Sequence, residues 1–243
     1  MDLSEDTHMD TYSERYNLKP AAAWLRGHAL KTGIPEIDLE LLEMPLEVLT
    51  DEELAAIVEI GERTGQKLYP FKTGKSELPR VRQVLGFLHG IEIEALLDVG
   101  SGRGVFLIPF MEEFPQVQVT SLDLLDKRVT FLNELAAGGY SQLMAYNKNI
   151  CDQPFPAGSF DVVTLLEVLE HIPEVDKAVA AAVKMAKKYV VVSVPSKEDD
   201  NPEHIHLLTK DILTELFAKA GCTKLHFGGV NGHLILMATM EKE

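Results

Sequence analysis

The stretch ALLDVGSGRGVFLIPF, residues 95–110, constrains this chain more than any other part of it. An apolar run ends at Asp98-Val99, glycines stand at 100, 102 and 104, and a helical apolar pattern begins at once. Closely spaced glycines permit positive φ and let a ligand approach bare backbone. In a doubly wound parallel sheet such a strand–turn–helix places the turn at the carboxyl edge, where ligands bind. The spacing narrows the ligand. A dinucleotide fingerprint, G-x-G-x-x-G, asks for glycine at 105, and Val105 stands there instead. Asp98, two residues ahead of Gly100, would repel a pyrophosphate and attract a cation. The apolar run Val117–Asp123 ends in a second acid, 19 residues beyond Gly104. A carboxylate at that place accepts hydrogen bonds from both hydroxyls of a ribose. The loop therefore suits a nucleoside carrying positive charge, and a dehydrogenase is disfavoured. The alternative is that the glycines serve only a tight turn.

The rest of the chain supplies the sheet this loop requires. Further strand candidates are Glu94–Val99, Leu143–Tyr146, Phe160–Leu166, Tyr189–Val194, Thr223–Phe227 and His233–Thr239. Helical stretches at Val105–Phe114, Asp126–Ala137 and Glu174–Lys187 separate the early ones. A further helix, Lys210–Ala220, follows the N-cap Thr209 and stops at Gly221. Alternating strands and helices imply a mostly parallel sheet covered on both faces, and runs such as DVVTLL and VVVSV suit strands buried on both sides. The last two strands lack a long helix between them and suggest an antiparallel hairpin at one edge. The expected fold class is α/β: a Rossmann-like, doubly wound, seven-stranded, mostly parallel sheet with an antiparallel edge strand.

Residues 1–80 differ in texture. They hold 16 acids and 9 bases and show no strand-like run. Leu, Ile and Val recur at helical spacing through residues 39–65, with Thr50 and Glu53 set as a capping box. The expected organisation is a helical N-terminal extension or cap over 1–80 and a ligand-binding domain over 81–243. Trp24, with Tyr12 and Tyr16, either caps the site or packs the extension onto the core.

Charge and cysteine content bound the partners. The formal net charge is −15, which repels phosphate backbones at long range, so a nucleic-acid partner starts at a discount. A local basic stretch at 67–82 (Lys67, Lys72, Lys75, Arg80 and Arg82 against Glu77) is either solvated surface or an anion contact near the site. Thr73-Gly74-Lys75-Ser76 is not a phosphate loop, because Tyr69 occupies the required glycine position and no strand precedes it. No apolar run reaches the length of a membrane span, and the acidic N-terminus lacks the apolar centre of a signal peptide. Cys151 and Cys222 form neither a disulfide framework nor a zinc pattern, and they fit a cytoplasmic setting.

From residue 80 onward the chain resembles the class I S-adenosylmethionine-dependent methyltransferases. The resemblance lies in Asp98-Val99-Gly100-Ser101-Gly102-Arg103-Gly104, in Asp123 followed by Leu124, and in Asn149 through Asp161, NICDQPFPAGSFD. It implies a seven-stranded sheet with its last strand antiparallel, and S-adenosylmethionine as cofactor. It places Asp98, Gly100, Ser101, Gly102 and Gly104 along the donor, with Asp123 on its ribose. Leu124, Asn149, Ile150 and Glu167 complete the donor site. Asn149 stands where that family commonly has Asp; its side-chain carbonyl can accept the same hydrogen bond, with Asp152 as the fallback.

Two acid–histidine segments follow strands four and five: Glu167-Val168-Leu169-Glu170-His171, and Asn201-Pro202-Glu203-His204-Ile205-His206. Topology brings both to the carboxyl edge. Three readings stay open. His171 is a general base or orienting group, with Glu167 as second choice; an imidazole suits proton transfer near neutral pH. Alternatively Glu167, Glu170, His171 and His204 hold Mg²⁺ or Mn²⁺, a pattern resembling the RNA 3′-terminal ribose 2′-O-methyltransferases. In the third reading these residues line the cofactor pocket and begin a helix. His8, His28, His89, His226 and His233 lack motif context and are expected at the surface or satisfied in the core. The expected activity is methyl transfer to a small-molecule acceptor, with a metal-assisted RNA enzyme and an inactive cofactor-binding module as alternatives. No membrane partner is expected.

Overall fold

A computed structural model describes residues 12–34, 36–73, 78–198 and 200–241. The N-terminal segment 1–11, Gly74-Lys75-Ser76 and Glu77 lie outside the described residues, and with them the expectations placed there. Ahead of the sheet lie the helices α1 (Leu18–Thr32), α2 (Leu39–Glu43), α3 (Asp51–Arg63) and α4 (Pro79–Leu88). Then follow β1 (Ala95–Val99), α5 (Leu107–Glu113), β2 (Gln118–Asp123), α6 (Asp126–Ala137), β3 (Leu143–Asn147), β4 (Phe160–Leu166) and α7 (Val175–Met185). The chain closes with β5 (Ala186–Pro195), α8 (Lys210–Lys219), β6 (Leu225–Val230) and β7 (His233–Thr239).

The seven strands form one sheet in the order β3-β2-β1-β4-β5-β7-β6. Strands β1 to β5 pair in parallel, and β7 is antiparallel to both its neighbours. The antiparallel strand thus lies between β5 and β6, and the edge is a hairpin whose outer member is β6. Strand order reverses between β1 and β4, which opens a crevice beyond their carboxyl ends.

Side-chain alternation divides the core between the two faces. Leu96, Val119, Val162 and Val191 face the layer of α5, α6 and the N-terminal helices. Leu97, Leu122, Val163, Val190 and Val192 face α7 and α8. The sequence pattern predicts helix through Lys187, yet α7 ends at Met185 and β5 begins at Ala186 with no loop between them. Ala186-Lys187-Lys188 favours helix locally, but Ala186 pairs with Phe160 of β4 and the strand contact wins, with a register shift just beyond it.

The N-terminal helices are seated by close backbone approach. A Cβ on Gly27 of α1 would stand 1.7 Å from the Glu134 carbonyl oxygen of α6, and one on Gly138 would stand 1.6 Å from the Ala23 carbonyl oxygen. Trp24 is buried in that seam. Its indole N–H donates to Glu134 Oε2 at 3.0 Å, and its ring lies against His28, Phe71 and Phe131 at 5.1, 5.9 and 5.8 Å. Of the two roles open to Trp24, the structure shows packing: it lines neither cavity of the site described below. The predicted capping box is formed, with Glu53 N–H donating to Thr50 Oγ1 and Thr50 N–H to Glu53 Oε2. Among the described residues no helix is long and apolar enough to cross a membrane.

Candidate active site

The crevice beyond β1 and β4 holds a cavity of about 480 Å³. Gly100, Asp123, Leu124, Asn149, Ile150 and Glu167 line it, together with His171. Asp98, Ser101 and Gly102 line a smaller adjoining cavity of about 170 Å³, and Gly100 belongs to both. Gly104 lines neither. Its φ is +74°, and a Cβ there would stand 3.1 Å from Ile108 Cγ1, so the turn and the packing of α5 both ask for glycine.

The glycine turn is built for close approach. Gly100, Gly102 and Gly104 all have positive φ. At Gly100 the need is steric as well: a Cβ would stand 2.5 Å from Val168 Cγ2. Asp123 ties the turn to the end of β2. Its Oδ2 accepts from Gly102 N–H at 3.2 Å and its Oδ1 from Leu125 N–H at 2.9 Å. A carboxylate offers about four acceptor positions, so lone pairs remain for two hydroxyls. Asp98 is buried, and the Thr164 hydroxyl donates to its Oδ1 at 2.6 Å. Burial pushes the Asp98 carboxyl up to about 6, against the hydroxyls of Ser101 and Thr164, which favour the ionised form.

Asn149 caps the short turn Ile150–Asp152, its Oδ1 accepting from Cys151 N–H at 3.0 Å. One acceptor position on that oxygen is therefore in use and one is left. Asp152, the fallback, is exposed and absent from the lining. Lys148 was not foreseen in the sequence. It lines the cavity, with its ammonium 5.7 Å from the Tyr146 ring and 5.4 Å from that of Phe155.

The two acid–histidine segments do meet. Ile205 and His206 donate backbone N–H groups to the Glu170 carbonyl at 2.9 and 3.3 Å. His206 Nε2 contacts the Ile172 carbonyl at 3.0 Å, and His171 Nδ1 the Glu203 carbonyl at 2.9 Å. A carbonyl only accepts, so Nδ1 of His171 carries the proton and Nε2 keeps a lone pair. The His171 and His204 rings are 4.7 Å apart, and one ligand atom from each of Glu170, His171 and His204 falls within 4.8 Å of the others.

Glu167 is not part of that group, which corrects the four-residue metal set. It sits at φ +58°, a strained position for a residue with a side chain. Its Oε1 accepts from the Ser193 hydroxyl at 2.7 Å, and its Oε2 is 3.0 Å from His233 Nδ1. His233 Nδ1 is thus buried within ion-pair distance of a carboxylate at the cavity wall, without a hydrogen bond of good geometry. No local motif could have revealed a pair that joins the end of β4 to the start of β7.

The strand order, its reversal and the crevice at that reversal define the Rossmann-like fold of the class I S-adenosylmethionine-dependent methyltransferases. Residues 97–192, about two fifths of the chain, match the family model of the methyltransferase domain. Ribosomal RNA small subunit methyltransferase G of Streptococcus suis is 31% identical over 134 residues, 51% of this chain and 52% of that protein. Ubiquinone biosynthesis O-methyltransferase of Idiomarina loihiensis is 36% identical over 111 residues, 42% and 44% of the two chains. The chain spans about half or less of the length of the curated relatives it matches. Among solved structures, magnesium protoporphyrin IX methyltransferase of Synechocystis PCC 6803, with bound S-adenosylhomocysteine, superposes with a TM-score of 0.54 at 16% identity. That superposition covers 67% of this chain and 82% of the other, and it speaks to the fold.

Proposed function

We propose that this protein transfers the methyl group of S-adenosylmethionine to a small-molecule acceptor bearing a removable proton. One observation carries the reading: a single cavity of about 480 Å³ is lined at once by Asp123 and Asn149 and by His171. The residues present fit the donor. Gly100 presents bare backbone to both cavities, Asp123 keeps lone pairs for a ribose, and the buried Asp98 stands beside the turn as a partner for a cation. Bound there, S-adenosylmethionine supplies an electrophilic methyl group on a cationic sulfur.

The protein's own part is to hold and to deprotonate. Asp123 and the glycine turn fix the nucleoside, and Ile150 offers an apolar surface to its base. His171, held through Nδ1 on the Glu203 carbonyl, takes the acceptor's proton at Nε2. The segment from Glu203 to His206, strapped over Glu170 and Ile172, covers this end and limits water.

A second reading, a metal-assisted RNA enzyme, is favoured by the convergence of Glu170, His171 and His204. One carboxylate and two imidazoles are an acceptable donor set for a divalent cation. The net charge of −15 and the departure of Glu167 weigh against it.

Calorimetric titration with S-adenosylhomocysteine, with and without Mn²⁺, tests both. The proposal expects binding that is independent of metal and at least about tenfold weaker in Asp123→Ala, a loss in the range of one charge-assisted hydrogen bond. Unchanged affinity in Asp123→Ala sinks the donor site. One equivalent of bound Mn²⁺ that disappears in Glu170→Ala turns the assignment to the second reading.

A further inference from the structure

Another cavity, of about 460 Å³, opens at the amino edge of the sheet, on the side opposite the crevice. It is nearly as large as the cavity proposed for the donor, and the two share no residue. Its walls come from both parts of the chain. Lys19 of α1, with Leu46 and Glu47 in the turn after α2, forms one side. Met111 and Glu112 of α5, Gln118 at the start of β2 and the turn ahead of β3 form the other. The two sides meet closely: a Cβ on Gly139 would stand 2.6 Å from the Leu46 side chain.

The polar groups of this wall are unevenly matched. The buried Tyr140 donates its hydroxyl to Glu112 Oε1, and the Lys19 ammonium lies 3.5 Å from Glu112 Oε2. Glu112 is thus answered from within the chain. Glu47 is not, for its carboxylate makes no hydrogen bond or ion pair among the described residues. The side chains of Gln116, Gln118, Ser141 and Gln142 likewise make no hydrogen bond among them. Burial pushes the Tyr140 phenol up, and Glu112 and Glu47 push it further, so both carboxylates act on the same space. Two carboxylates against one ammonium, itself already paired, disfavour an anion. A bare divalent cation gathers its oxygen ligands around one point, which a space of this size with a single unpaired carboxylate does not offer. Three amides and a hydroxyl supply neutral oxygens, and Leu46 and Met111 supply apolar surface. A chain of methylenes carrying ammonium groups meets all of these surfaces at once.

We propose that this cavity binds a small aliphatic polyamine, one of whose ammonium groups rests on Glu47. The site goes beyond the methyl-transfer reading and does not depend on it.

The test is calorimetric titration of the full chain with spermidine, with and without S-adenosylhomocysteine. One equivalent is expected to bind saturably, with the same affinity in both cases, whereas the uncharged N,N′-diacetylputrescine does not bind. Glu47→Gln is expected to weaken spermidine by about two- to fivefold, the range of an exposed ion pair. Ser141→Arg, at an exposed position on the same wall, places a like charge in the cavity and weakens it by about tenfold or more. Glu52→Gln removes an exposed acid of α3 outside the cavity and leaves the affinity unchanged. Absence of saturable binding overturns the proposal, as does wild-type affinity in Glu47→Gln or in Ser141→Arg. Equal losses in Glu47→Gln and Glu52→Gln overturn it too, because they mark general attraction to an acidic chain. Binding of N,N′-diacetylputrescine as tight as that of spermidine removes the role of charge, and competition with S-adenosylhomocysteine places the amine elsewhere; either result overturns it.

Discussion

Asp98 shows what a single buried carboxyl does to the whole chain. Its unfolded pKa is near 3.8 and its folded pKa near 6, raised chiefly by burial and further by Asp123. Between about pH 4 and pH 6 the folded state holds a proton that the unfolded state has lost, so stability falls as pH rises through that window. Below it and above it this group adds no slope. The shift corresponds to on the order of 3 kcal/mol. Asp98→Asn, which keeps an acceptor for the Thr164 hydroxyl, should remove the decline: urea unfolding at pH 4 and pH 6.5 would show a smaller difference than in the wild type. Parallel pH profiles for the two proteins would sink that account. At this scale the glycines and Asp98 stand out in the sequence because they share one local turn, and Asp123 because it ends the next apolar strand. Lys148 and the Glu167–His233 pair do not, because only chain folding across the sheet brings them to the cavity.

Among the elements, the strands were read from their apolar runs, and β4 and β7 agree to the residue. The start of β5 was hidden because its first residues favour helix and only the pairing with β4 makes them strand. The seating of α1 on α6 was hidden for another reason. Two glycines, Gly27 within α1 and Gly138 just beyond α6, become necessary only when the two backbones touch. Gly27→Ala should therefore separate the helices and cost about 1–3 kcal/mol or more, the range for overpacking a dense contact. The midpoint of urea unfolding measures it. Gly86→Ala serves as a control, since a Cβ there meets nothing within 4 Å.

For the whole molecule, the difference in texture between residues 1–80 and 81–243 marks composition and not separate cores. Ala21, Leu25, Ile57 and Phe71 belong to the same buried cluster as Leu96, Val119 and Val162 of the sheet. A chain beginning at residue 81 would expose that face. It is expected to bind a hydrophobic dye and to lose cooperative thermal unfolding, whereas the full chain shows one transition. A truncated chain that unfolds cooperatively, with no dye binding, would show that the sheet closes its core alone.

The strap from Glu203 to His206 has a consequence of its own. Main-chain groups of Glu203, Ile205 and His206 anchor it, while the side chains of Ile205 and Leu207 stand 51% and 37% exposed and take no part in that anchoring. Its outward side chains can thus be exchanged without loosening the imidazoles beneath.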